Sequence, residues 1–369
     1  MHVVIVGGGI VGTAVAARLA GEGRDHAVTL LERSALGAET TAASAGMVLR
    51  ASTDPTPLDA GLRGHARKRY DALREAGDLD ADPVGALYVA EGDAYAEKLE
   101  AAAASLRERG VRASYRSADG LTDLGVAAGV GRGGLYVPDD LAFEPTEIVD
   151  VLAARARARG ADLRTGVEVT DVRVRDGRVV GVETDDGRID ADYVVNAAGP
   201  WAPDLNERVG VSLPLCHTLG PMVELEADRP VEAPFTILES RRYVRPVGER
   251  GAYVGEFLTE YVEGQRYDPP DLRLPPAFRQ AVDEVDGIVP ALAGATPVDE
   301  WAGLRTVTPD GWPIVGETAT PGYLVACGPT GLGITLAPVL ADVVAATIEA
   351  REPPEIVAEA GRRLAPDRF

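Results

Sequence analysis

Residues 2–36 (HVVIVGGGIVGTAVAARLAGEGRDHAVTLLERSAL) alternate in character: an apolar run, a glycine turn, a segment of helical period, a second apolar run and then Glu32. Strand, helix, strand is the expected order. Residues 58–76 and 93–109 carry helical spacing with exposed charges around a strand-like stretch at 84–91, and we read these three as an insertion. The segment 144–160 opens with acids and closes with arginines and Gly160, the polarity that suits a helix dipole and C-cap. Residues 161–198 read as short strands turning at Asp176-Gly177 and Asp186-Gly187, ending in the buried run ADYVVNAAG. Alternation from 213 to 258 predicts an antiparallel sheet with one covered face. A helical stretch near 275–287, a strand at 322–327, a glycine loop at 327–333 and an apolar helix through about 349 complete the pattern. The fold class is therefore α/β plus α+β: a discontinuous Rossmann-like domain (1–82, 144–212 and 300–369) with an inserted antiparallel β-rich domain (83–143 and 213–299).

The glycines of the first turn carry chemistry. Gly7 permits the tight turn after the strand, Gly9 lets backbone approach a pyrophosphate, and Gly12 allows the helix to pack close to the strand. The helix then begins at the phosphates, where its unpartnered amides and positive dipole end attract an anion. Glu32 stands 20 residues beyond Gly12, where a carboxylate accepts hydrogen bonds from ribose hydroxyls and repels a phosphorylated ribose. FAD or NAD is thus favoured over NADP. Gly129, Gly131 and Gly134 repeat the spacing, but LYVPDD follows them instead of a helix, so this second match reads as a loop.

Length and composition narrow the rest. A chain of 369 residues suits two domains and can bury a cofactor. No stretch approaches the length of a membrane span, and the first strand starts at residue 2, so a cytoplasmic location without a signal peptide is expected. Cys216 and Cys327 form no CxxC pair, and the four histidines have no metal-ligand spacing, so no metal site is indicated. A net charge of −21 repels nucleic acid and anionic membrane. Lys68 and Lys98 are the only lysines; a salt-adapted, carboxylate-rich surface explains this pattern better than arginine bias with a moderately acidic surface, although both fit.

Residues 40–50 (TTAASAGMVL and Arg50) hold small and hydroxyl side chains that no core would select, and NAAGPW (196–201) again places small residues at a strand end. Close approach to a ligand accounts for both. Together with TGVEVTDV (165–172), Tyr243 in YVRPVGERGAYVG, WAGLR (301–305), TPDGWPIVG and GPTGLGITLAP, these segments resemble the D-amino-acid oxidase superfamily of FAD-dependent oxidoreductases. The likeness is to its glycine oxidase, sarcosine oxidase and D-amino-acid dehydrogenase-like branch and covers nearly the whole chain. It implies non-covalent FAD, with Gly7, Gly9, Ile10, Val11, Gly12, Glu32 and Arg33 along the adenosine and pyrophosphate and Val169 near the adenine. Thr40, Thr41, Ser44, Gly46 and Met47 then follow the pyrophosphate and ring, with Gly199, Trp201 and Gly303 beside them. The loop carrying Gly328, Thr330, Gly331, Leu332, Gly333 and Ile334 would aim a helix N-terminus at the flavin pyrimidine edge, where negative charge accumulates on reduction.

The same resemblance makes Arg305 the clamp for a substrate carboxylate and Tyr243 its assistant, and implies oxidation of a small amino acid or N-alkyl amino acid to the imine. Glycine, sarcosine, proline and D-amino acids are all candidates, with oxygen or an electron carrier as acceptor; a homo-oligomer is left open. A guanidinium fits this role because its planar fork meets two carboxylate oxygens. A buried Arg305 paired with Asp310 or Glu300, and a Tyr243 that only packs the sheet, are the structural alternatives. The glycine loop here lacks the basic residue usual in glycine oxidases, and Thr306 replaces the usual proline after the arginine. Competing functions are an FAD-dependent 2-hydroxy acid dehydrogenase, which needs a base such as His217, an FAD-binding subunit of a larger amine dehydrogenase, and a pyridine-nucleotide reductase, which lacks a second nucleotide fold.

Overall fold

The computed structural model describes residues 1–21, 26–268 and 272–369. Its centre is a six-stranded sheet in the order Ile314–Glu317, Tyr323–Cys327, Tyr193–Asn196, His2–Val6, Ala27–Glu32, Asp162–Thr165. Five strands run parallel; only the edge strand Ile314–Glu317 is antiparallel. The first strand pairs in parallel on both sides, Val6 standing beside Leu31 and Asn196. Buried on both faces, such strands must be continuous apolar runs, which explains why HVVIV and YVVN show no alternation.

Helices Ile10–Leu19, Pro57–Glu75, Pro145–Ala158 and Gly333–Glu349 form one layer over this sheet, and a three-stranded antiparallel sheet (Val169–Arg175, Arg178–Thr184, Gly187–Asp190) joins the opposite face. At Gly12 the helix touches the strand turn so closely that a Cβ there would collide with the Gly7 carbonyl oxygen, and Gly7 itself has φ +109°. Both glycines are therefore required sterically, as the motif predicts. Residues 58–76 read both as inserted and as part of the 1–82 unit, and the helix Pro57–Glu75 packs with the latter. Its Leu62, Ala66, Tyr70 and Leu73 form an apolar stripe buried in the core cluster that covers the parallel sheet, where the helix packs against Gly333–Glu349.

A second, eight-stranded sheet has the order Thr296–Val307, Cys216–Glu226, Gly251–Glu256, Arg242–Val247, Phe235–Leu238, Ala86–Ala90, Gly133–Val137, Ser114–Ser117. It is antiparallel except where Phe235–Leu238 runs parallel to Ala86–Ala90, a pairing between distant segments that local alternation cannot reveal. Gly133 and Gly134 lie within a strand of this sheet, so the second glycine match faces no helix N-terminus. The boundary expected at residue 300 falls inside the single strand Thr296–Val307, which pairs with Cys216–Glu226 along its length; a Trp-Ala-Gly-Leu-Arg segment reads equally well as the start of one domain or the end of the other. Among the described residues no helix is long and apolar enough to cross a membrane.

Asp342, in the helix Gly333–Glu349, ties three helices together. Its carboxylate receives Arg18 from the first helix at 2.5 Å, and His65 and Arg69 from Pro57–Glu75 at 2.7 and 2.8 Å. Burial alone would push this carboxyl up, but hydrogen bonds from His65 and Arg18 and the charge of Arg69 hold it at about 2. With the folded value below the ordinary 3.8, the stabilisation is complete above that pH and is lost as pH falls towards 2. Asp342→Asn should cost about 2–3 kcal/mol at neutral pH, moderated by the partial exposure of Arg18 and Arg69. Melting curves from pH 7 down to pH 3 should show the gap between variant and parent narrowing; a constant gap would contradict the assignment.

Candidate functional site

The carboxyl ends of the parallel strands open into a cavity of about 470 Å3 whose far wall is the large sheet. Parallel strands all deliver their following turns to the same end, so Gly7, Glu32, Ala197 and Cys327 meet there although they are distant in sequence. Two helices point their N-termini at the cavity, Ile10–Leu19 through Gly9, Ile10 and Val11, and Gly333–Glu349 through Gly331, Gly333 and Ile334. Neither N-cap residue has a capping side chain, and neither first turn holds an acid. Both ends therefore present positive partial charge to the cavity.

Glu32 is fixed at the cavity rim. One carboxylate oxygen accepts the Gly8 amide at 2.7 Å, and the other accepts the Ser34 amide at 2.8 Å and the Ser34 hydroxyl at 3.1 Å. The Arg33 guanidinium lies 3.9 Å over the ring of Trp201, and both line the same end, with Val169 beside them. The hydroxyl-rich segment that no core would select is a connector. Thr41 accepts the Ile10 amide at 3.1 Å, Thr40 donates to the Leu304 carbonyl at 2.9 Å, and Thr335 bridges the Met47 carbonyl and the Leu49 amide. It thus links both helix N-termini to the strand that carries Arg305. A Cβ on Gly46 would strike the Phe143 carbonyl oxygen.

Arg305 reaches the cavity from that strand. Its Nη1 donates to the carbonyls of Leu219 at 3.1 Å and Glu256 at 3.3 Å, and its Nη2 donates to Glu256 at 3.3 Å. Of five guanidinium N–H groups, the Nε–H and one Nη2–H, side by side on one edge, give no bond to a carbonyl, and the Tyr243 hydroxyl lies within hydrogen-bonding reach of the guanidinium. The carboxylates that could have neutralised Arg305 are engaged elsewhere: Asp310 with Arg368, and Glu300 with Arg279. Burial pulls the guanidinium below its usual value, opposed by Tyr243 and Glu256. Tyr243 lines the cavity within a ring cluster, 4.6 Å from Phe257 and 5.3 Å from Phe235 between centroids, and its hydroxyl meets the Met222 sulfur at 3.6 Å. Burial pushes the phenol up, against the pull of Arg305 and Arg245, so it stays a donor.

Ser44, Gly46, Met47, Gly199 and Gly303 complete the wall. Gly12, Gly328, Thr330 and Leu332 stand behind it: Gly12 against the Gly7 carbonyl, Gly328 against Leu215 and Thr308, Thr330 through its amide on the Thr306 carbonyl, and Leu332 against the apolar clusters. His217 does not join the wall. Its Nε2 donates to the Pro200 carbonyl at 2.8 Å and its Nδ1 accepts the Tyr267 amide at 3.1 Å, while burial pulls its pKa down. Phe235, Phe257 and Gly220 on the large sheet escape sequence reasoning, since only strand register brings them to the cavity.

The profile of the family described as FAD dependent oxidoreductase matches residues 2–347, and the chain belongs to that family. FAD is its cofactor, and two helix N-termini facing one cavity with a rim carboxylate form a donor set that fits a dinucleotide. The chain is 28% identical to the glycine oxidase of Geobacillus kaustophilus, over 95% of this chain and 93% of that protein. It is 31% identical to 4-methylaminobutanoate oxidase (formaldehyde-forming) of Paenarthrobacter nicotinovorans over 92% of its own length, but spans only 42% of that longer protein. Among solved structures, L-proline dehydrogenase from P. horikoshii superposes with a TM-score of 0.87 at 23% identity, covering 100% of this chain and 97% of that one.

Proposed function

We propose that this oxidoreductase converts a small α-amino acid or N-alkyl amino acid to its imine by hydride transfer to flavin. The observation that carries the reading is Arg305: a desolvated guanidinium on the cavity wall, held by the carbonyls of Leu219 and Glu256 and by the Tyr243 hydroxyl, with no carboxylate partner. A cation removed from water needs an anion, and a planar edge of two N–H groups fits a carboxylate. The names of the two relatives, glycine oxidase and 4-methylaminobutanoate oxidase, each put an amine and a carboxylate in one substrate.

FAD supplies the hydride acceptor. Glu32 is assigned to the ribose hydroxyls, Arg33 and Trp201 to the adenosine end, and the amides of the first helix to the pyrophosphate. The N-terminus of Gly333–Glu349 is assigned to the ring edge that gains negative charge, which favours reduction. Arg305 then holds the carboxylate, Tyr243 donates from beside it, and the α-carbon is thereby oriented. At the Arg305 end the described wall offers no imidazole or carboxylate, so the substrate ammonium gives its proton to water or a backbone carbonyl. Oxygen or an electron carrier reoxidises the flavin.

Arg305→Ala should lower kcat/KM by a factor corresponding to about 2–4 kcal/mol, mostly through KM, with the bound-flavin spectrum preserved. Equal rates for the variant and parent, or equal reactivity of decarboxylated amines, would remove the carboxylate role. Cys327 lies on the wall with its thiol pushed up to about 12 by burial, so it stays protonated, and no cysteine stands near Arg305 in the sequence; FAD is assigned as non-covalent. Acid precipitation should release all the flavin as FAD, and yellow colour retained in the pellet would refute this. The pH profile separates amine from alcohol chemistry. kcat/KM should rise with pH as the substrate ammonium deprotonates, and His217→Ala should leave that rise in place. Anaerobic bleaching by 2-hydroxy acids in preference to amino acids would instead select a hydroxy acid dehydrogenase, and bleaching by neither a non-catalytic FAD subunit.

A further inference from the structure

The two recognition side chains of the large sheet lie over positions without side chains. Tyr243 pairs across the sheet with Gly255, which pairs in turn with Met222. A Cβ on Gly255 would stand 2.3 Å from both Cζ and the hydroxyl oxygen of Tyr243 and 2.7 Å from Cε2, closer than any contact allows. One strand further on, a Cβ on Gly220 would stand 3.1 Å from Nη2 and 3.2 Å from Cζ of Arg305. Neither glycine has a positive φ, so backbone conformation does not require glycine at either place. What requires it is the room taken by the side chain lying flat on the sheet.

Resting on the amino acid reading above, we infer that Gly255 determines substrate size. It is a positioning residue that acts through Tyr243. Phe257 at 4.6 Å and Phe235 at 5.3 Å flank the tyrosine ring, the sheet lies beneath it and the cavity lies above. A methyl group at 255 leaves the ring one way to move, off the sheet and into the space beside Arg305. The depth of the apolar end of the site is thus set by the absence of one methyl group. Substrates with the smallest α-substituent tolerate a raised ring, and bulkier ones do not.

The test uses the FAD-loaded enzyme and three non-reacting carboxylates of rising bulk, acetate, isobutyrate and pivalate, titrated against the flavin absorbance. Gly255→Ala should weaken acetate by no more than about threefold and pivalate by about tenfold or more, and Tyr243→Leu in the same chain should remove this size dependence. Equal weakening of all three, no weakening, or a double variant that discriminates as the single variant does, overturns the inference. Melting temperatures provide a second readout: Gly255→Ala should destabilise the parent and not the Tyr243→Leu protein. If Gly255→Ala alone does not fold, recovery of folding in the double variant supports the inference, and failure of both overturns it. A parent flavin that responds to no carboxylate refutes the Arg305 reading instead; Gly255 is then judged by melting alone, where equal loss in both backgrounds is the overturning result.

Discussion

Everything at the site depends on the first strand being hydrogen-bonded in parallel along both edges. Parallel pairing brings the ends of His2–Val6, Ala27–Glu32, Tyr193–Asn196 and Tyr323–Cys327 to one line, so four turns separated by up to three hundred residues open on the same cavity. The two helices that follow the first and last of these strands must then point the same dipole end at the same place. An antiparallel arrangement would send one of them to the opposite side. The close contact at Gly12 and the bonds from Arg18, His65 and Arg69 to Asp342 fasten those helices to each other and to the sheet.

Facing this positively polarised floor, the large sheet supplies the Arg305 guanidinium and an apolar wall. Arg305 is held by carbonyl oxygens rather than by an acid, which keeps its charge available while immobilising its plane. The segment 40–49 couples the two halves: the hydroxyls of Thr40 and Thr41 reach Leu304 and Ile10, and Met47 and Leu49 are fastened to Thr335. The floor and the wall of the cavity are therefore joined by one continuous hydrogen-bonded framework. The histidine nearest in sequence to these elements serves that framework too, since both His217 nitrogens are committed to backbone groups.

Much of the nucleotide half is legible along the chain because its signals are local. The glycine turn, the carboxylate 20 residues on, the apolar runs without alternation and the second glycine-flanked helix each follow from short-range sterics or dipoles, and Gly7 and Glu32 line the cavity. Arg305 and Tyr243 came from the likeness of motifs, and the register then explains why they meet. Gly12, Gly328, Thr330 and Leu332 were harder to place, since a motif marks a turn as a unit and does not say which of its residues face inward.

By itself the sequence determined the parallel α/β unit, the helix ends that follow its glycine turns and the carboxylate at the end of the second strand, since each depends on neighbours within a few tens of residues. Only the tertiary structure decided that the helix 57–75 packs against Gly333–Glu349, that Arg305 is left without an acidic partner while Asp310 and Glu300 are taken, and that Gly255 lies beneath Tyr243. The physical reason is that burial, ion-pair choice and cross-strand neighbours are set by contacts between segments far apart in the chain, and a shift of one residue in strand register would exchange every one of them.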